Sequence, residues 1–205
     1  MKNPLNYQST EYDCGPTTML NAINVLFQRE EIYPDVIKAI TQYTLDCYNT
    51  KGEAYKQGTT KMAMGFLSCW LNHFGKAKNW PIFCEQIQGK QVYLKKGNVI
   101  DQCLRSGGVV VARVMLGCWH YVLLTGIDNE YVSMFDPYFR KRTFKVDGIE
   151  IINDEPTKRN RKVAWFHMNN EGKRNYAFGP IEKRDCILMY RRRLKHTTEE
   201  IEYYV

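Results

Sequence analysis

The chain has 205 residues, of which 44% are hydrophobic and 25% charged, a balance that allows one domain with a sizeable core. No run approaches the roughly 18 apolar residues that a membrane-spanning helix needs, and the first residues lack the apolar segment of a secretory signal. Seven cysteines without a CxxC pair argue against a zinc ribbon or a redox motif. They favour reduced thiols, which predicts a cytoplasmic location.

The formal net charge is +7, and the basic residues form clusters late in the chain, at residues 140–142, 158–162 and 191–195. Such clusters indicate either an acidic partner, a peptide or a nucleic acid, or a solvated surface. Because no nucleic-acid-binding module accompanies the charge, we favour the solvated surface and expect no nucleic-acid partner.

The first half of the chain predicts helices. Apolar residues between 19 and 27 recur at a spacing of three to four, as on one face of a helix. Asp13 stands where an N-cap is expected, with Pro16 in the first turn. Three further helices are predicted in this half: one after Pro34, one over residues 60–74 that ends at Gly75, and one over residues 98–104.

The second half predicts strands. Residues 109–116 are rich in β-branched side chains, residues 119–127 are apolar on both faces, and residues 130–135 follow a turn signal. These three strands predict an antiparallel meander. Residues 146–162 are polar and predict a long loop, and strand-like segments return at 163–168 and 186–191. Helices first and strands later are typical of an α+β domain.

Cys14 is the first candidate for chemistry. If Asp13 caps the helix, Cys14 lies in the first turn, where unpaired N–H groups and the helix dipole favour a thiolate, the nucleophilic form. Gly15 would leave room for a substrate carbonyl, whereas the charge of Asp13 opposes a second anion. A buried structural cysteine explains this position equally well.

His120 and Asp136 stand on the two strands that flank Asp128. If the turn is centred on Asp128, His120 and Asp136 lie directly opposite each other, and a two-residue turn at 128–129 shifts the pairing by one. Asp136 would then accept the Nδ1–H of His120 and leave Nε2 as a base. Taken separately, His120 is better explained as a hydrogen-bonded core residue, and Asp136 with Pro137 as a turn that ends a strand.

Gln8 stands six residues before Cys14, and its amide carries two donors. Together with the backbone N–H of Cys14 it would form an oxyanion hole for a tetrahedral intermediate. By spacing alone, an exposed loop glutamine is the better explanation.

Three segments resemble the bacteriocin-processing (double-glycine leader) cysteine peptidases, which are papain-like domains often fused to ABC transporters. Residues 7–17 (YQSTEYDCGPT) resemble the cysteine motif of that family, residues 120–127 (HYVLLTGI) its histidine strand and residues 135–137 (FDP) its aspartate motif. The family also has a glutamine six residues before the cysteine, as Gln8 is here. The sequence departs from the family in a long gap between the cysteine and histidine motifs, with inserted sequence near residues 46–57 and 79–96.

The resemblance implies a papain-like α+β fold, in which a helical part with Cys14 at a helix N-terminus packs on an antiparallel sheet that carries His120 and Asp136. We accordingly predict a single domain over residues 1–205, with a family-like core over about 5–144 and a C-terminal extension over 145–205.

The implied activity is hydrolysis of a peptide bond through a thioester acyl-enzyme, with Cys14 as nucleophile, His120 as general base, Asp136 as the orienting residue and Gln8 in the oxyanion hole. No metal or cofactor is expected. An amidase, deamidase or acyltransferase would use the same residues, and a non-catalytic peptide-binding module would keep the same fold. The sequence leaves the substrate, its cleavage site and the oligomeric state open.

Overall fold

Helices dominate the first part of the chain and strands the second in the computed structural model, which describes residues 4–192. The helices are α1 (Cys14–Leu26), α2 (Pro34–Tyr43), α3 (Lys61–Ala77), α4 (Val99–Arg105) and the single turn α5 (Trp165–Met168). The strands are β1 (Ile82–Gln88), β2 (Val109–Leu116), β3 (Cys118–Ile127), β4 (Tyr131–Phe135), β5 (Ile149–Ile151), β6 (Arg161–Ala164) and β7 (Asp185–Arg191).

All seven strands form one antiparallel sheet in the order β1-β7-β2-β3-β4-β6-β5. The N-terminal helices pack on this sheet, which confirms the α+β class predicted from the sequence. Strand β7, late in the chain, lies between β1 and β2, so the region after residue 144 supplies three of the seven strands.

One core lies between the helices and the sheet. The predicted apolar stripe of α1 is buried there, with Met19 and Ile23 almost inaccessible to solvent, because a helix must bury its apolar face against another element. A second core, which includes α4, Val122 and Phe178, forms separately around strands β2, β3, β4 and β7. The β2 and β3 strands are therefore buried on both faces, as their continuous apolar sequences predict.

Three predictions of local structure are wrong, and one strand was not predicted at all. Helix α3 continues through Gly75 to Ala77, because Gly75 allows close packing rather than ending the helix: a Cβ there would lie 2.7 Å from the side chain of Ile82 and 2.9 Å from the carbonyl oxygen of Trp80. Strand β1 was not predicted. The polar region 146–162 contains β5 and the start of β6, and the predicted strand 163–168 turns into α5 after residue 164.

Within residues 4–192, no helix is long and apolar enough to cross a membrane. All seven cysteines are free thiols.

Candidate active site

Cys14 is the first residue of α1, and its side chain is only 7% exposed. The helix begins there because the carbonyl oxygen of Asp13 accepts the N–H of Thr17 at 3.1 Å. The carboxylate of Asp13 does not cap the helix, which corrects part of the N-cap prediction. It accepts the N–H groups of Ser9 and Thr10 instead, at 3.0 and 2.8 Å, so the aspartate orders the turn that leads into Cys14.

Gly15 does not provide the space for a substrate carbonyl that the sequence suggested. A Cβ at this position would lie 2.1 Å from Thr59 Oγ1 and 2.7 Å from Thr59 Cβ. The missing side chain therefore makes room for Thr59, which precedes the N-cap of α3 at Thr60. The contact between Gly15 and Thr59 thus packs the start of α1 against the start of α3.

His120 and Asp136 are in contact, as predicted, with His120 Nε2 2.7 Å from Asp136 Oδ1. The predicted register is wrong. The turn is formed by residues 128–131, and a bulge between Leu124 and Gly126 shifts the pairing so that Leu123 lies opposite Phe135. Carried one residue further, this register would place Val122, not His120, opposite Asp136.

The role of the two ring nitrogens is also the reverse of the prediction. Asp136 contacts Nε2, not Nδ1, because Nε2 is farther from the backbone and reaches a carboxylate that is offset along the strand. Nδ1 is therefore the nitrogen left for Cys14, whose side chain lies close enough to His120 to raise the pKa of the imidazole. Both His120 and Asp136 are buried.

The electrostatics of this group favour a charged histidine. Burial lowers the pKa of His120, but the hydrogen bonds and negative charges of Asp136 and Cys14 outweigh it and raise the pKa to about 10. Burial raises the pKa of Asp136, yet the hydrogen bond and charge of His120 outweigh it and leave that pKa below its ordinary value. Asp136 is thus ionised and in place to stabilise an imidazolium.

Residues outside the predicted triad hold Asp136 in place. Tyr176 donates its hydroxyl to Asp136 Oδ2 at 2.7 Å, and the N–H of Tyr138 donates to Oδ1 at 2.8 Å. Asn160 pairs with the backbone of Asp136 in both directions, at 2.8 Å each. The buried Arg161 donates from Nε to the Tyr176 hydroxyl at 3.2 Å. No pattern in the sequence marks Asn160, Arg161 and Tyr176, because their partners are 15 to 40 residues away.

Gln8 lies beside these residues through its backbone. Its N–H donates to the carbonyl oxygen of Pro137 at 2.9 Å, and two hydrogen bonds of 2.8 Å between Asn6 and the buried side chain of Asn21 tie the same segment to α1. The Gln8 amide donates from Nε2 to the carbonyl oxygen of Thr10 at 2.7 Å, and among the described residues its buried Oε1 has no hydrogen-bond partner. The second N–H of the amide is not used in this bond.

Aromatic side chains surround the site. The ring of Tyr138 meets the ring of His120 edge to face, with 6.5 Å between the centroids. Tyr7 contacts both Phe135 and Phe139, at 5.2 and 5.1 Å. Because Tyr7, Tyr138 and Phe139 remain exposed, they present an apolar surface next to the polar residues.

Within residues 4–192, no group of three or more His, Cys, Asp and Glu side chains is arranged to hold a metal ion. Searches against protein-family models and against curated protein sequences find no match to this chain.

Proposed function

We propose that this chain is a papain-like cysteine hydrolase that cleaves a peptide bond with Cys14, His120 and Asp136. The observation that carries the proposal is the buried His120 ring, which Asp136 holds at Nε2 and which lies close enough to Cys14 for the cysteine to raise the pKa of the imidazole. If Cys14 and His120 had separate structural roles, nothing would require both of them to lie at the N-terminus of α1 beside an ionised carboxylate.

The reaction begins when Nδ1 of His120 takes the proton of the Cys14 thiol. The thiolate attacks the amide carbonyl carbon, and the resulting oxyanion accepts the N–H of Cys14 and the free N–H of Gln8 Nε2. Asp136 holds the imidazolium in place through Nε2.

The imidazolium then gives its proton to the leaving amine as the C–N bond breaks, which leaves a thioester on Cys14. A water molecule next gives its proton to Nδ1 and attacks the thioester. The proton returns to Cys14 as the C–S bond breaks, and the product leaves with a carboxyl group. The acyl acceptor decides between hydrolysis and transfer, and the same residues would serve an amidase, deamidase or acyltransferase.

The motifs around Gln8, Cys14, His120 and Asp136 support a peptide substrate, since they resemble the double-glycine leader peptidases. The exposed aromatic side chains of Tyr7, Tyr138 and Phe139 beside the triad suit an apolar segment of such a substrate. Free thiols at all seven cysteines support a cytoplasmic location.

Incubation of the protein with a proteome-derived peptide library, read by mass spectrometry, tests this function. We expect new peptide termini with the wild-type chain and none with Cys14→Ala, and Cys69→Ala, at an exposed cysteine of α3, serves as the matched control that keeps activity. Added hydroxylamine would yield hydroxamates if the acyl-enzyme forms. Binding of peptides without cleavage would contradict the proposal and favour a peptide-binding module.

A further inference from the structure

The three basic clusters have different surroundings. In the cluster at 158–162, Arg159 bonds to Glu155, Arg161 is buried beside Tyr176, and Lys162 lies 3.6 Å from Asp128. In the cluster at 191–195, Arg191 pairs with Glu31. Arg192 lies over the ring of Phe83 at 4.3 Å, and residues 193–195 are outside the described part of the chain. Most of these described charges are thus satisfied within the molecule, where they stabilise the fold.

The cluster that begins at Arg140 is different. Arg140, Lys141, Arg142 and the nearby Lys145 form no ion pair with any described residue. They line one pocket of about 680 Å³, formed by residues 140–146 and Asn175, and no carboxylate lines it. The ring of Phe144 lies beneath Arg140, 4.3 Å from the guanidinium carbon, and gives this cation a fixed position.

The basic pocket is joined to the triad by two contacts. Phe144 packs against the ring of Tyr176 with 5.5 Å between the centroids, and the hydroxyl of Tyr176 holds Asp136. Along the chain, only residues 137–139 separate Asp136 from Arg140, and within them Tyr138 contacts the His120 ring. The basic pocket is therefore close to Asp136 both along the chain and through the packing of Tyr176.

We infer that the basic pocket binds a carboxylate-rich segment of the peptide substrate, an inference that rests on the proposed peptidase function. Four unpaired cations that line one pocket repel basic peptides and attract acidic ones, and charges at a surface act mainly on association and selectivity. Nucleic acid is the weaker alternative, since Phe144 is the one aromatic residue among those that line the pocket, whereas single-stranded nucleic acid is bound by several rings on which successive bases stack.

The decisive variant is Lys141→Glu/Arg142→Glu, which reverses two exposed charges of the pocket. Its matched control is Lys95→Glu/Lys96→Glu, the same kind of change at an exposed pair before α4. In the peptide library, we expect cleaved peptides to be enriched in Asp and Glu at a fixed distance from the cleaved bond. The pocket variant should lose this enrichment and the control should keep it. The unfolding midpoint of each variant shows whether the fold is intact.

Binding of a fluorescein-labelled octaglutamate peptide to the Cys14→Ala chain separates the pocket from the chemistry. We expect the pocket variant in this background to bind the probe roughly tenfold more weakly, and the control to bind almost as before. If the pocket variant and the control bind the probe equally well, or if cleavage shows no preference for acidic peptides, the inference is overturned and the proposed function stands. Absence of any cleavage would overturn the proposed function, and with it the inference that the pocket binds a substrate. Tighter binding of a single-stranded oligonucleotide through the same two residues would assign the pocket to nucleic acid instead.

Discussion

Asp136 accepts hydrogen bonds from two residues in addition to His120. Its two carboxylate oxygens accept from His120, from the N–H of Tyr138 and from the hydroxyl of Tyr176, and the residue is only 1% exposed. A buried carboxylate is costly unless such donors satisfy it, and each donor also restricts its position. The φ angle of +62° at the buried Tyr176 is rare for an aromatic residue, which indicates that this position is strongly determined by its surroundings.

We predict that Tyr176→Phe lowers kcat/KM roughly tenfold by loosening Asp136 and hence His120. Loss of a donor to the carboxylate also raises the pKa of Asp136, so the acidic limb of the pH–activity profile moves to higher pH. Tyr43→Phe on α2, away from the triad, is the control. An unchanged acidic limb with only a lower unfolding midpoint would mean that Tyr176 has a purely structural role.

Sequence reasoning brought together Gln8, Cys14, His120 and Asp136 through their order and their motifs. It missed the register, because the bulge before Gly126 depends on tertiary packing. It also missed Tyr176, because nothing local distinguishes a tyrosine in a loop that will meet a carboxylate 40 residues earlier.

At the scale of elements, the position of Cys14 depends on the meeting of two helix starts. Thr59 fills the space over Gly15, and Thr60 caps α3 by accepting the N–H of Ala63 at 3.0 Å. Asp46 in turn accepts the N–H of Thr60 at 3.0 Å. The loop before α3 thus supports the helix turn that carries the nucleophile.

We predict that Gly15→Ala destabilises the fold by about 1–3 kcal/mol, because the new methyl group would overlap Thr59. Thr59→Gly in the same chain should recover most of this loss, since the φ angle of Gly15 is not in the left-handed region and space alone is limiting. Urea unfolding of the two single variants and the double variant gives the coupling. If the losses of stability in the two single variants simply add in the double variant, the contact with Thr59 does not limit which side chain fits at position 15.

The helices α1 to α4 and the strands β2 to β4 could be predicted because their apolar patterns are regular and their ends carry turn or capping residues. Strand β1, with the sequence IFCEQIQ, could not, because its pairing with β7 joins segments about a hundred residues apart. The short strands β5 and β6 lie in a polar region, where β6 pairs with β4 from earlier in the chain and β5 pairs with β6.

At the scale of the whole molecule, the region after residue 144 completes the sheet. Among the strands within residues 4–192, β7 is the only partner of β1 and separates it from β2, and Tyr176 from the same region holds Asp136. We predict that a chain ending at residue 144 unfolds without a cooperative transition in urea, because β1 loses its partner and β2 becomes an exposed edge. A chain ending at residue 192 keeps all seven strands and is the control. Cooperative unfolding of the shorter chain would show that residues 5–144 form an independent core.

The rate of Cys14 alkylation by iodoacetamide as a function of pH, with labelling located by mass spectrometry, tests the central claim most directly. An imidazolium stabilised by Asp136 predicts fast labelling well below about pH 8.5, where an ordinary thiol begins to react. This fast labelling at low pH should be lost in His120→Ala. If Cys14 instead reacts only at the higher pH and the His120 variant leaves its rate unchanged, the thiolate–imidazolium pair does not form and the proposed chemistry is wrong.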